Sequence, residues 1–150
     1  MRAGKRVQLR CLLFTVLLTF LSCTTVDSGA PPSTAFPAAA LTSTTYPATG
    51  WRFELRTAPN QPPTTAGGSG EIRVLDDKSQ PVENLTLHVQ AWMPSMNHGS
   101  SPDPAVTTNG AGRYLLAPLN LFMAGTWQVR VAFAPVTGAS GQIVEQFDVQ

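Results

Sequence analysis

The chain has 150 residues, with ten lysines and arginines against nine aspartates and glutamates, a formal net charge of +1. Four of the basic residues and none of the acidic ones precede Cys23, so the remainder carries six bases against nine acids, about −3. No basic patch or basic helix is left there to displace counterions from phosphates, which argues against nucleic-acid binding.

The first elements set the compartment. "MRAGKRVQLR" is a basic stretch, and "CLLFTVLLTFLSC" follows as an apolar run of about a dozen residues, signal-peptide length and short for a membrane span. A signal peptide over residues 1–22 is expected. The run ends in "FLSC", which resembles the bacterial lipobox, with Phe20 and Leu21 bulkier than the usual residues. Cleavage before Cys23 discards Cys11 and leaves one cysteine at the new N-terminus, so no disulfide forms within the chain. Cys23 is then the expected lipidation site. Each buried methylene contributes about 0.8 kcal/mol, so several acyl chains hold a protein where one does not. The resemblance implies a lipid-anchored protein of the cell envelope, exported from the cytoplasm, with the membrane as partner. The lack of an acid directly after Cys23 ("CTTVD") favours the outer membrane under the same resemblance. Cleavage elsewhere, giving a soluble secreted protein, is the rival.

Residues 23–50 are rich in Thr, Ser, Ala and Pro and carry a single charge, Asp27. Such a segment has too little apolar surface to offset the entropy of ordering, and a disordered tether is expected, reaching on the order of 30 Å. From Trp51 the pattern changes to period two, the mark of half-buried strands. "WRFELRT" alternates Trp51, Phe53 and Leu55 with charged residues, and "SGEIRVLDD" sets Ile72 and Val74 against Glu71 and Arg73. "NLTLHVQAWM" turns Leu85, Leu87, Val89, Ala91 and Met93 inward, and "GRYLLAP" is a short strand around Tyr114. "TWQVRVAFAP" places Trp127, Val129, Val131 and Phe133 on one face. "GQIVEQFDVQ" turns Ile143, Phe147 and Val149 inward, with Glu145 discordant among them. Gly, Pro, Asn and Asp clusters separate these runs, and no long segment shows a helical period. The expected fold is all-β: an immunoglobulin-like β-sandwich of about seven short strands over residues 51–150, with a small closed barrel as the alternative.

No enzyme is expected. There is no G-x-S-x-G, and the two histidines include His88, which falls on the polar face of a strand. "AGGSGE" lacks the lysine and following helix of a phosphate loop, and "NLT" at Asn84 reads as a chance sequon. One stretch remains, "AWMPSMNHGSSPDP". Met93 is the last inward residue of its strand, and Pro94 ends that strand for want of an amide hydrogen. Met96 and His98 follow two residues apart, where an extended backbone turns both to the same side. Thioether sulfur and imidazole nitrogen together suit copper, Cu(I) above all, and suit zinc or calcium poorly. Met123, in "LNLFMAGTW", supplies a further soft donor if its turn lies at the same end of the sandwich. The candidate metal ligands are Met93, Met96, His98 and Met123. The plainer reading has Met93 and Met123 packing the core and His98 hydrogen-bonding in its loop, in a module that binds an envelope protein without metal.

The segment from Ala91 to Phe133 resembles the core of the YtkA-like domains, related to FixH-type proteins. Its Met-Pro-x-Met-x-His turn, Gly-x-Tyr strand and Met-x-Gly-x-Trp turn occur in the family's order, on Met93, Pro94, Met96, His98, Gly112, Tyr114, Met123, Gly125 and Trp127. The resemblance extends over roughly Trp51 to Val149 and implies an immunoglobulin-like fold, export or membrane anchoring, and a link with copper handling and oxidase assembly. Asn97 stands where the family more often has glycine; Asn accepts positive φ better than most residues. FixH-type members span the membrane, whereas this chain is expected to be held by lipid, which weighs against oxidase assembly.

Overall fold

The computed structural model describes residues 35–150. The expected signal peptide, the expected lipidation site Cys23 and the start of the expected tether lie outside those residues. Among the described residues nine strands, all paired antiparallel, form two sheets. The first sheet contains β1 (Thr42–Tyr46), β2 (Trp51–Ala58), β3 (Gly68–Leu75), β7 (Arg113–Leu119) and β6 (Ala105–Thr108), in that order. The second contains β5 (His98–Gly99), β4 (Thr86–Met93), β8 (Gly125–Ala134) and β9 (Gly141–Val149). The fold is the expected β-sandwich, and the barrel alternative falls away.

Period-two patterning explains the core. Phe53, Leu55, Ile72, Val74, Tyr114 and Leu116 of the first sheet are buried against Val89, Ala91, Trp127, Val129, Val131 and Phe133 of the second. Phe53 meets Phe133 across the gap, with ring centroids 5.0 Å apart. Tyr114 ties the strands together through its hydroxyl, which accepts from the Leu85 amide and donates to the Val82 carbonyl, each at 3.1 Å. Burial pushes its phenol above the ordinary value of 10.0, so it serves as a neutral hydrogen-bonding group. Two residues earlier, Gly112 has φ +67°, and a Cβ there would lie 2.5 Å from the Val74 carbonyl oxygen. This close approach accounts for the glycine of the Gly-x-Tyr pair.

The expected tether ends sooner than Gly50. Thr42–Tyr46 forms β1, which pairs with β2 from Thr42↔Leu55 to Tyr46↔Trp51. Tyr46 packs edge-on against Phe133, with centroids 4.9 Å apart. Before β1, residues 35–38 lie over the outward face of β2, where Arg56 Nη2 donates to the Ala38 carbonyl; Gln61 Nε2, beyond the strand, donates to the Ala39 carbonyl, and Leu41 joins the β2 edge through the Leu55 carbonyl. Polar composition gave no hint of either contact, because β1 faces a polar partner.

That partner is Glu145, on the inward face of β9 and 2 % exposed. Its Oε1 has no hydrogen-bond partner among the described residues. Burial raises its pKa above 4.5, and the hydroxyls of Thr42 and Thr44 with the Thr44 amide oppose this without cancelling it. The folded state thus favours the protonated acid. This stabilisation is complete below about pH 4.5 and is lost as pH rises through the higher folded value. Glu54 acts in the opposite sense. Burial alone would raise its pKa, but hydrogen bonds and charges from Arg56 and then Arg52 outweigh it and hold the carboxyl below 4.5. Glu145→Gln removes the first effect and leaves the second. We expect the variant to be more stable than the parent at pH 7 by about 1–3 kcal/mol, with the difference closing toward pH 4.5. Thermal melts across that range check this, and parallel profiles for the two proteins would sink it.

Candidate metal centre

β4 alternates inward and outward until Met93, whose side chain is 6 % exposed. Pro94 then opens a single 3-10 turn, Pro94–Met96, at the strand end where its missing amide costs no ladder bond. Asn97 closes the turn in the left-handed region, at φ 53° and ψ 38°, with its amide donating to the Pro94 carbonyl at 3.2 Å. The asparagine thus occupies a position that favours glycine and that Asn tolerates. The chain returns along β4 as β5, with Met93 opposite His98 and Trp92 opposite Gly99.

This hairpin differs from the extended loop anticipated for these residues. Met96 ends the 3-10 turn and the left-handed Asn97 alone separates it from His98, so alternation along an extended chain does not relate them. Pairing relates Met93 to His98 instead. Directly opposed residues point to the same face, with Cβ atoms about 4.5–5.5 Å apart. On that face Met93 is buried, whereas His98 lies on the edge strand and is exposed. Its Nδ1 lies 3.1 Å from the Gly99 carbonyl oxygen. With the proton on Nδ1 this is a hydrogen bond, and the lone pair on Nε2 is left for an external partner. Met96, at the tip of the turn, is 56 % exposed.

Met123 approaches from the connection between β7 and β8. It is half-buried and packs against the core. Trp127, fully buried, donates its indole N–H to the Met123 carbonyl at 2.8 Å. Between them Gly125 has φ +128°, and a Cβ there would lie 2.9 Å from the Met93 methyl carbon. Met93, Gly125, Trp127 and the Met123 backbone therefore form one interlocked group, and the 3-10 turn lies against β8. Met93 and Met123 occupy the inner side of this pole; Met96 and His98 occupy its solvent side. Ser100, missed in the sequence because serine in a loop is unremarkable, is buried on the face shared by His98 and Met93. Its Oγ has no partner among the described residues. A hydroxyl is a hard donor and does not extend a soft set.

Among the described residues, no three His, Cys, Asp or Glu side chains gather in a metal-binding arrangement. A metal at this pole would be held by thioethers with a single imidazole, a donor chemistry that fits Cu(I). His88 is exposed on the outward face of β4 and takes no part.

Fold and site together define an antiparallel β-sandwich with one pole closed by a Met–His hairpin and a Met–Gly–Trp turn. The chain belongs to the YtkA-like family, whose model matches residues 45–132, more than half the sequence and all four candidate ligands. Neither the curated proteins nor the solved structures include a match to it. Among the described residues, no helix is long and apolar enough to cross a membrane.

The two sides of the pole should respond differently to truncation. Met93→Ala empties a core position and is expected to cost about 2–5 kcal/mol. Met96→Ala should stay within about 0.5 kcal/mol of the parent. Urea unfolding measures both, and a Met93→Ala protein as stable as the parent would contradict the buried placement.

Proposed function

We propose that this chain is a lipid-anchored envelope protein that binds Cu(I) as cargo and hands it on, with no covalent step. The observation that carries the reading is the hairpin itself, which sets a buried thioether, Met93, directly opposite an exposed imidazole, His98. His98 Nε2 and the Met96 sulfur are the donors that solvent and a partner reach first. Met93 and Met123 supply thioethers from the inner side, fixed by packing against Gly125 and by the Trp127 bond. A set divided in this way suits transfer, because the outer donors can exchange while the inner ones stay in place. The family's YtkA-like character is in keeping with an envelope module. The lipid anchor at Cys23 rests on the sequence pattern "FLSC", and the outer-membrane location on the lack of an acid directly after it in "CTTVD".

A competition titration of the purified protein with Cu(I) tests this. The double variant Met96→Ala/His98→Ala is expected to lose at least about tenfold in affinity, or about 1.4 kcal/mol. Equal affinity in parent and variant would end the copper reading. In cells, Cys23→Ser should move the protein out of the membrane fraction, and retention there would count against the anchor.

A second reading has one observation in its favour. Met96 at 56 % and Phe122 at 60 % exposure are large apolar side chains at the same pole. Exposed apolar groups close together mark surfaces that meet a protein partner. Under this reading the pole docks an envelope protein without metal, and Met96→Ala with Phe122→Ala abolishes the complex while Cu(I) has no effect on melting.

A further inference from the structure

The outward face of the five-stranded sheet holds a feature that the Met–His pole does not use. A cavity of about 420 Å³ is bounded by Phe36 and Pro37 on one side and by Arg56, Glu71, Arg73 and Arg113 on the sheet. Its volume falls within the range of small-molecule pockets. The register brings the charges together: Arg56 lies opposite Glu71, and Arg73 lies directly opposite Arg113. Two like charges in direct cross-strand contact destabilise a sheet, with Cβ atoms about 4.5–5.5 Å apart.

Neither member of that pair makes an ion pair among the described residues. Glu54, the nearest candidate by register, is already engaged, with one oxygen on Arg52 Nε at 3.0 Å and the other on Arg56 Nη2 at 2.8 Å. Glu71 offsets part of the charge but makes no ion pair within 4.0 Å among the described residues. Two guanidinium nitrogens are buried without a hydrogen-bond partner among those residues, Arg56 Nη1 and Arg73 Nε. Arg56 as a whole is 7 % exposed. Buried donors of this kind are costly when left unmade, and charged ones more so. Guanidinium forks match the geometry of carboxylate and phosphate groups and bind them bidentately. The strip Ala35–Ala38 meanwhile gives the cavity an apolar wall.

We propose that this cavity binds a small organic anion, with a phosphate or carboxylate group held between Arg73 and Arg113 and an apolar body against Phe36 and Pro37. The anion relieves the Arg73–Arg113 repulsion and supplies acceptors for the unpartnered donors. The site belongs to the first sheet, whereas the Met–His hairpin hangs from the edge of the second, so it stands whether or not the protein carries copper.

Thermal melts of the purified chain with phenyl phosphate test this, with inorganic phosphate and benzoate alongside and sodium chloride at matched ionic strength as reference. Phenyl phosphate or benzoate should raise Tm saturably by at least about 4 °C over chloride, and inorganic phosphate by less. Arg113→Gln, an exposed position whose change leaves the fold intact, should abolish the rise. Arg73→Lys keeps the charge but not the fork and should lose most of it. Arg130→Gln, on the second sheet, should keep it in full. No rise above chloride with any probe overturns the proposal, and so does a rise that survives Arg113→Gln or falls equally in Arg130→Gln. Capture of the parent but not Arg113→Gln by phosphatidylglycerol vesicles, with no shift from the soluble probes, overturns it in favour of a lipid headgroup.

Discussion

The bond from the Trp127 indole to the Met123 carbonyl organises the pole on which the candidate site depends. An indole contributes a large apolar area when buried, but its N–H must keep a partner or the gain is partly lost. Here the partner is a backbone carbonyl in the connection that carries the chain from the first sheet to the second. Fixing that carbonyl fixes Met123, and two residues later the chain passes beneath the Met93 methyl at φ +128°, a backbone state that favours glycine, at Gly125. The four positions are therefore coupled by packing before any ligand is considered. A family motif made of these residues is in the first place the description of a closed sandwich end.

Only Met96 and His98 escape this account. Both project to solvent, neither contributes to the core, and His98 leaves one ring nitrogen uncommitted. Packing does not call for a thioether at an exposed turn or an imidazole on an edge strand. The chemistry of the pole thus divides cleanly: inner sulfurs that stability alone would select, and outer donors that it would not.

The alternation of Phe53, Leu55, Ile72, Val74, Val129 and Val131 made the strands and their buried faces readable without coordinates, since side-chain direction in a strand has period two. Three strands were not readable. β5 has two residues, too few to carry a period, and exists only because the Pro94–Asn97 turn folds it back on β4. β6 places mostly exposed Ala and Thr on a sheet edge. β1 is the instructive case. Its inward residues Thr42 and Thr44 are polar because they face Glu145, the one residue that broke the apolar pattern of β9. The discordance at Glu145 and the concealment of β1 are two sides of one contact, and neither half reveals the other in a linear string. Likewise the pairing of Met93 with His98 depends on the left-handed Asn97, a backbone state that the sequence permits without requiring.

The two sheets divide their tasks. Strand pairs in the second sheet are occupied, Glu145 apart, by apolar packing inward and by Trp92, Arg130, Asp148 and neutral polar groups outward, with Arg130 lying 4.6 Å over the Trp92 ring. In the first sheet the outward face instead concentrates Arg52, Glu54, Arg56, Glu71, Arg73 and Arg113, and part of it is roofed by residues 35–38. A solvated face of mixed charge would need no roof, because water screens it and exposed pairs are worth little. Covering it lowers the local dielectric and makes each unmatched guanidinium more expensive. A sheet that buries Arg56 beneath residues 35–38, with Glu54 already engaged and Arg73 opposed to Arg113, gains from a counter-charge supplied from elsewhere, and that is what gives the roofed face its own chemistry.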